Sequence, residues 1–384
     1  MAKQIQFSIS PEKAQKFSDE LKALRMEIDR SLSDRDYRHL LKIIWWGRIS
    51  TLVGYATAWI LPNPFSIFLM SMGNFNRWIM NHHISHKGYD RVPGIPLKYT
   101  SKVFSRGYRR FIDWFDWISP ECWHYEHNVL HHYNTGEEAD PDFVQRNLEP
   151  LRASSLPTPL KLGIVFYFML TWKIVYYSPT TFSYFQVFKN NKTKNKKNHK
   201  EIAGFLKLIS PISYNSLLFW KECLIPYSIF RFILVPLCFL PLGKTPALYV
   251  LINSILAELL TNMHSFIAIV PNHAGKDIYS FTRPAQSQVE FQIRQILGSV
   301  NYTSGSDWSD FLHGWLNYQI EHHLWPDIPM LKYREFQPAV KALCQKYEIP
   351  YIQQSVFSRL LQLFEIMIGN SSNMSVPEII SCEK

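Results

Sequence analysis

Residues 123–132 read WHYEHNVLHH, and four of the chain's fourteen histidines fall there: His124, His127, His131 and His132. A neutral imidazole offers one nitrogen lone pair to a metal ion while its other nitrogen is anchored by a neighbouring acceptor. In an α-helix His127 and His131, four apart, share one face, and His132 turns about 100° aside. One helix can therefore serve two neighbouring ions. The competing reading, a polar surface helix that is merely histidine-rich, weakens once the rest of the chain is considered.

Two further clusters answer this one. Asn81-His82-His83-Ile84-Ser85-His86 repeats the four-residue spacing in His82 and His86, and Gln319-Ile320-Glu321-His322-His323 lies far downstream. Asn272-His273 follows an apolar stretch. The gaps between clusters are irregular, so this is no internal repeat, and distant segments must converge to share a site.

The 384 residues carry 15% aromatic side chains and a net charge of +10. The length alone admits two domains. Excess positive charge with abundant Trp, Tyr and Phe suits lipid head groups better than nucleic acid, for which no recognition motif is present. Five scattered cysteines without a C-x-x-C pair fit a reducing compartment and argue against zinc-finger ligation. The opening MAKQIQF lacks the apolar run of a cleavable signal peptide.

The pattern predicts an all-α membrane protein with two transmembrane hairpins, four spans in all, under a cytosolic helical cap. Residues 1–42 are read as an amphipathic cytosolic segment. Ser10-Pro11-Glu12 opens a helix there, with Phe17, Leu21, Leu24 and Ile28 as its apolar stripe. Residues 43–61 and 65–80 form the first hairpin, broken at Pro62-Asn63-Pro64. Arg48 and Arg77 then sit at similar depth, within snorkelling reach of an interface. Residues 224–242 and 246–270 form the second, with Arg231 and Glu258 each roughly 17–18 Å from the turn and expected to pair or to line a polar site. The apolar stretch 160–178 is read as interfacial, which keeps every histidine cluster on one side together with the basic tract 189–200. That tract is expected to be a mobile loop, with His199 no ligand. The membrane domain is drawn as 43–351, with its cap at 81–222 and 271–351. Residues 352–384 are read as a helix and a disordered tail from Asn370 onward.

Nitrogen-rich, carboxylate-poor ligation suits iron, zinc or copper better than magnesium or calcium. So many imidazoles exceed what one ion can take, which implies two. A pair of irons beneath a membrane-facing cavity can activate oxygen against an unactivated carbon–hydrogen bond.

The order H-x-x-x-H, H-x-x-x-HH, Q-x-x-HH resembles the membrane fatty-acid desaturases, over roughly residues 43–351. The run LNYQIEHHLWP at 316–326 is similar to the front-end type, and the run from His131 through Thr135-Gly136 to Asp140-Pro141 matches the sequence that follows the family's second box. The resemblance implies two non-haem irons, O2 as co-substrate and a long-chain acyl lipid or acyl-CoA as substrate. It implies His82, His86, His127, His131, His132, His322 and His323 as iron ligands, with His273 as a further one. Asn272 or Gln319 would hold a water or a metal. His83 and His124 adjoin the boxes, with ligation and hydrogen bonding both open. His39, His264 and His313 are read as structural, and Asp140 either as the anchor of a ligand imidazole or as a turn residue.

Front-end members often carry a fused cytochrome b5 domain marked by H-P-G-G, a motif this sequence does not contain. Electrons are therefore expected from a separate donor, cytochrome b5 or ferredoxin. The expected location is the endoplasmic reticulum in a eukaryote or the inner membrane in a bacterium. A hydroxylase or sterol oxidase on the same scaffold is the near rival. A histidine-rich metal transporter or zinc-dependent receptor is the distant one.

Overall fold

The computed structural model describes residues 7–194 and 202–380. It is mostly helical. Helix α1 (Pro11–Arg30) starts where the Ser10 hydroxyl accepts the Lys13 N–H and Pro11 presets the first turn. Its Phe17, Leu21 and Ile28 are fully buried, each such side chain contributing about 1.5–3 kcal/mol. Helices α2 (Asp34–Ala58) and α3 (Pro64–Ser85) pack along their length as a hairpin. Asn63 caps α3 by accepting the Ser66 N–H at 2.8 Å. Close approach is possible because Gly47 has no side chain: a Cβ there would lie 2.1 Å from Asn76 Oδ1.

Three helices are long and apolar enough to cross a membrane: α4 (Thr158–Asn191), α5 (Tyr214–Leu242) and α6 (Lys244–Asn272). This differs from the expected set. The stretch read as interfacial belongs to α4, while α2 and α3, interrupted by Lys42, Arg48, Asn74, Asn76 and Arg77, fall short of that apolarity. Helix α6 packs against both α3 and α4.

Beyond it come the strand β1 (Tyr279–Phe281), α7 (Gln288–Leu297), the strand β2 (Asn301–Tyr302), α8 (Gln319–Leu324) and α9 (Met330–Lys346). The chain continues through β3 (Gln353–Gln354), α10 (Val356–Ile368) and β4 (Met374–Val376). Two short parallel pairs, β1 with β4 and β2 with β3, are the departures from an all-α chain. The tail read as disordered therefore needs correcting. Its Met374 N–H donates to Ile278 O at 2.8 Å, and Val376 and Ile379 are buried. Val376 within the strand and Ile379 just beyond it anchor so short a segment. The basic tract is also no loop at its start, where residues 189–194 continue the helix of α4; His199 lies outside the described residues.

Of the two arrangements expected for Arg231 and Glu258, direct pairing is not formed, and Glu258 sits in a polar cluster of its own. Lys173 of α4, completely buried, reaches Glu258 Oε1 at 3.0 Å and Asp116 Oδ2 at 2.7 Å. Trp117 Nε1 and Tyr227 Oη donate to the same Glu258 carboxylate. Arg231 bonds the Tyr55 hydroxyl instead. A carboxylate with a buried ammonium at hand gains more from it than from a more distant guanidinium.

Candidate metal centre

The second histidine cluster begins on a single turn, Pro120–Trp123, and then winds as a π-helix over His124–His131. The five-residue hydrogen-bond step changes the expected facing. His127 now also groups with His132, five residues on, and His131 with His273 and His323, while the expected pair of His127 and His131 persists in a donor set with Asp142. The stacking of His127 on His131, with centroids 5.2 Å apart, survives as a contact between the groups.

Helix α3 delivers His82 and, at its C-cap, His86. The third cluster is aimed by backbone geometry. Gly314 and Trp315 both adopt the left-handed conformation, at φ 61° and 59°, and turn the chain into α8. Gly314 cannot be replaced freely, since a Cβ would lie 2.6 Å from Ile79 Cγ1. Trp315 carries the strain of a bulky residue at positive φ and is wholly buried. Glu321 then clamps α8: its carboxylate accepts from Asn301 Nδ2 at 2.8 Å and from the Tyr351 hydroxyl at 2.7 Å. Burial pushes that carboxyl up to about 7 against those two hydrogen bonds.

Eight imidazoles converge as two adjoining groups. His82, His86, His127, His132 and His322 form one, and His131, His273 and His323 the other; within each, one nitrogen per ring lies within 4.8 Å of all the rest. The His132 and His323 rings stack between them, centroids 4.3 Å apart. Seven of the eight are buried and His273 is half-buried.

The far nitrogens are anchored in several cases. His131 Nδ1 meets Asp140 Oδ1 at 2.9 Å, and His322 Nδ1 meets the Tyr333 hydroxyl at 3.1 Å. His323 Nδ1 meets Gln295 Oε1 at 2.9 Å and Thr135 Oγ1 at 3.2 Å. His273 Nδ1 faces Gly298 O at 3.0 Å. Several of the near nitrogens have no such partners. Both nitrogens of His127 and of His132, and Nε2 of His86 and of His323, are buried without a hydrogen bond. His82 Nε2 and His322 Nε2 face each other at 2.8 Å. Buried imidazole nitrogens without a partner are costly, and cations would satisfy the lone pairs of His86, His127, His132 and His323, so this donor set fits metal ions.

Burial holds His127, His132, His322 and His323 well below the usual imidazole range, leaving them neutral and able to ligate. His273 is pushed down to about 3 by burial and then by His131. His131 is the exception. Burial lowers it, but the charge and hydrogen bond of Asp140 outweigh that and raise it.

The residues left open between roles separate clearly. His83 faces Gly314 O at 2.9 Å and His124 faces Asn128 Nδ2 at 2.8 Å, and neither belongs to a metal-holding group. His264 and His313 face the carbonyls of Leu312 and Ser309, while His39 stands edge-on to Trp315. Asp140 does both things proposed for it, anchoring His131 and accepting the Gly136 and Asp142 N–H groups of its turn. Asn272 and Gln319 each keep a buried, unpartnered amide oxygen, and Gln319 Nε2 lies 2.9 Å from His273 Nε2.

Sequence reasoning missed Asp142, which can join His127 and His131 as a donor set and whose carboxyl is pushed up to about 6 by burial, against His131. The repeated acid in Asp140-Pro141-Asp142 was its available signal. It also missed Gln295, Thr135 and Tyr333, which carry no signal in the sequence.

A cleft of about 760 Å³ leads to this cage. Its walls are apolar and aromatic, including Phe168, Trp172, Phe266, Ile269 and Met367, and His82, His127, His131 and His273 also line it.

Helices long and apolar enough to cross a membrane, beside a buried cluster of imidazoles that could hold metal ions and an apolar cleft against it, define a helical membrane-type chain with a candidate metal centre. The chain belongs to the fatty acid desaturase family, whose sequence model matches residues 57–355. It is 34% identical over 86 residues to a Delta(8)-fatty-acid desaturase of Helianthus annuus, covering 22% of this chain and 18% of that protein. Over 101 residues it is 32% identical to an NADPH-dependent stearoyl-CoA 9-desaturase of Mycobacterium tuberculosis, covering 26% and 23%. An Acyl-lipid (8-3)-desaturase of Mortierella alpina is 26% identical over 155 residues, covering 39% and 32%. The matched stretches thus span between about a fifth and a third of these relatives' lengths.

Proposed function

We propose that this chain is an oxygen-dependent desaturase that introduces a cis double bond into a long acyl chain. The observation that carries the reading is the convergence of eight imidazoles, four of which line an apolar cleft. His82, His86, His127, His132 and His322 would hold one iron, and His131, His273 and His323 the other, with Gln319 or Asn272 supplying an oxygen or a water. The irons would supply the oxidising power, reducing O2 to water with two electrons from the acyl chain and two from a donor. The protein's own part is to hold the ligands, exclude water and fix the chain. Asp140, Tyr333, Gln295 and Thr135 orient the ligand rings. Phe168, Trp172 and Met367 offer the methylene chain a dry path that sets which carbons meet the cage.

The names of the relatives point to acyl-lipid or acyl-CoA substrates, and a separate donor, cytochrome b5 or ferredoxin, would bring the electrons. We infer two membrane hairpins, α2–α3 and α5–α6, with α4 lying across them near the cytosolic face. Supporting this, Trp172 Nε1 donates to Asn262 O, at a level on α6 roughly 27 Å from the Gly243 turn. The endoplasmic reticulum would be the location in a eukaryote and the inner membrane in a bacterium.

Expression in a yeast host, followed by gas chromatography and mass spectrometry of fatty-acid esters, tests the activity. A new product lighter by two hydrogens supports it, and a product heavier by one oxygen makes the enzyme a hydroxylase. No new product over a range of fed chain lengths, from protein carrying its iron, defeats both.

A further inference from the structure

A second cleft, of about 770 Å³, opens between α2, α3 and the loop at 97–113. Its lining is unlike that of the first. Four cations, Arg48, Arg77, Lys98 and Arg109, face one carboxylate, Asp113. That carboxylate is spoken for: Arg109 Nε and Nη2 reach its two oxygens at 2.9 and 2.7 Å, and the Ser105 N–H adds a third bond at 3.0 Å. Among the described residues, Arg48, Arg77 and Lys98 have no ion-pair partner. Arg48 and Lys98 rest instead over the rings of Trp45 and Tyr99, centroids 5.4 and 5.1 Å away. Aromatic faces orient a cation without neutralising it, so its charge stays available to an anion.

Depth and shape narrow the ligand. Arg77 stands five residues before His82 on α3, roughly 7.5 Å along the helix from the metal cage and far from the hairpin turn. It is half-buried, so its guanidinium has given up part of its hydration without gaining a counter-ion. Gly47 lets Asn76 lie flat against α2 and leaves the cleft its floor, and Ile44, Met80 and Phe104 complete an apolar wall. A planar carboxylate presents two oxygens in one direction. A phosphate presents its oxygens tetrahedrally and can meet three cations arriving from different elements.

We propose that this cleft binds the phosphate of an amphiphilic ester, with the apolar wall taking the neighbouring carbon chain. The inference goes beyond the redox reading and does not depend on it, because binding here needs neither iron nor turnover.

The test uses the full chain in detergent micelles, with thermal unfolding followed during titration of four probes. These are dioctanoyl phosphatidylglycerol, coenzyme A, phosphate-free dioctanoylglycerol and octanoate. A saturable, salt-sensitive rise in Tm with either phosphate probe, and none with the other two, is expected. Response to phosphatidylglycerol alone identifies a lipid head group, and response to coenzyme A alone a soluble carrier; both support phosphate recognition. Arg48→Gln combined with Lys98→Gln changes two exposed side chains, sparing the fold, and should raise the half-saturating concentration at least about tenfold. No saturable shift with either phosphate probe, an equal shift with octanoate, or an unchanged response in the double variant would overturn the proposal.

Discussion

The hydrogen bond from His131 to Asp140 offers the sharpest single perturbation. Asp140 Oδ1 lies 2.9 Å from His131 Nδ1, and both side chains are buried. The carboxylate fixes which nitrogen carries the proton and makes the other a better donor to a metal. Asp140→Asn keeps the shape and removes the charge. A charge-assisted bond of this kind is worth about 1.5–3 kcal/mol, which corresponds to the 10–100-fold loss of metal affinity usual for such anchors. The effect should fall on one ion. His131 groups with His273 and His323, so half of the bound iron should loosen while the five-histidine group keeps its own. Tyr333→Phe removes a neutral bond to His322 in that other group and should cost about 1 kcal/mol, roughly fivefold. Iron titration of the apoprotein, read by competition with a chelator, measures both. If Asp140→Asn binds both irons within about twofold of the parent protein, the anchoring argument fails.

Three further outcomes follow from the same geometry. Lys173→Met should cost about 3–5 kcal/mol, because it strands Asp116 and Glu258 as buried uncompensated acids; an unchanged Tm would remove the triad from the fold's supports. Gly314→Ala should lower stability by about 1–3 kcal/mol and weaken iron binding through α8, and a silent substitution would mean that the left-handed turn does not aim the third box. The metal-free protein should lose stability as pH falls below 6.5. His127, His132, His322 and His323 have depressed folded values, so the unfolded chain binds more protons there; His131, raised by Asp140, works in the opposite sense but is a single group. A Tm that stays level between pH 7 and 5 would contradict the neutral cage.

The histidine boxes were legible because ligand spacing is written directly in the chain; the cap Ser10-Pro11 announced its helix, and Pro62-Asn63-Pro64 announced the break between α2 and α3. What escaped depends on three dimensions. The separation of His131 from His132 was legible from helical spacing, but nothing in WHYEHNVLHH marks the π-winding that groups His127 with His132, since an α-helix fits the same letters. Lys173 and Glu258 lie 85 positions apart, and only the packing of α4 on α6 reveals why neither charge is stranded. The tail strand is too short for any alternation to register, and its anchors Val376 and Ile379 look like isolated apolar residues in a polar run.

The contrast between the two buried polar clusters separates scaffold from site. Around Lys173 the charges answer each other: an ammonium meets two carboxylates, and an indole and a phenol add donors to Glu258. That cluster is complete as the protein makes it. The imidazole cage is not. Its rings are held from behind by Asp140, Tyr333 and Gln295, yet nitrogens of His86, His127, His132 and His323 turn inward to no partner at all. Folding gains nothing from burying lone pairs without partners, and simple apolar replacement would relieve the cost. An arrangement so well supported on the outside and so incomplete at its centre makes energetic sense only if cations finish it.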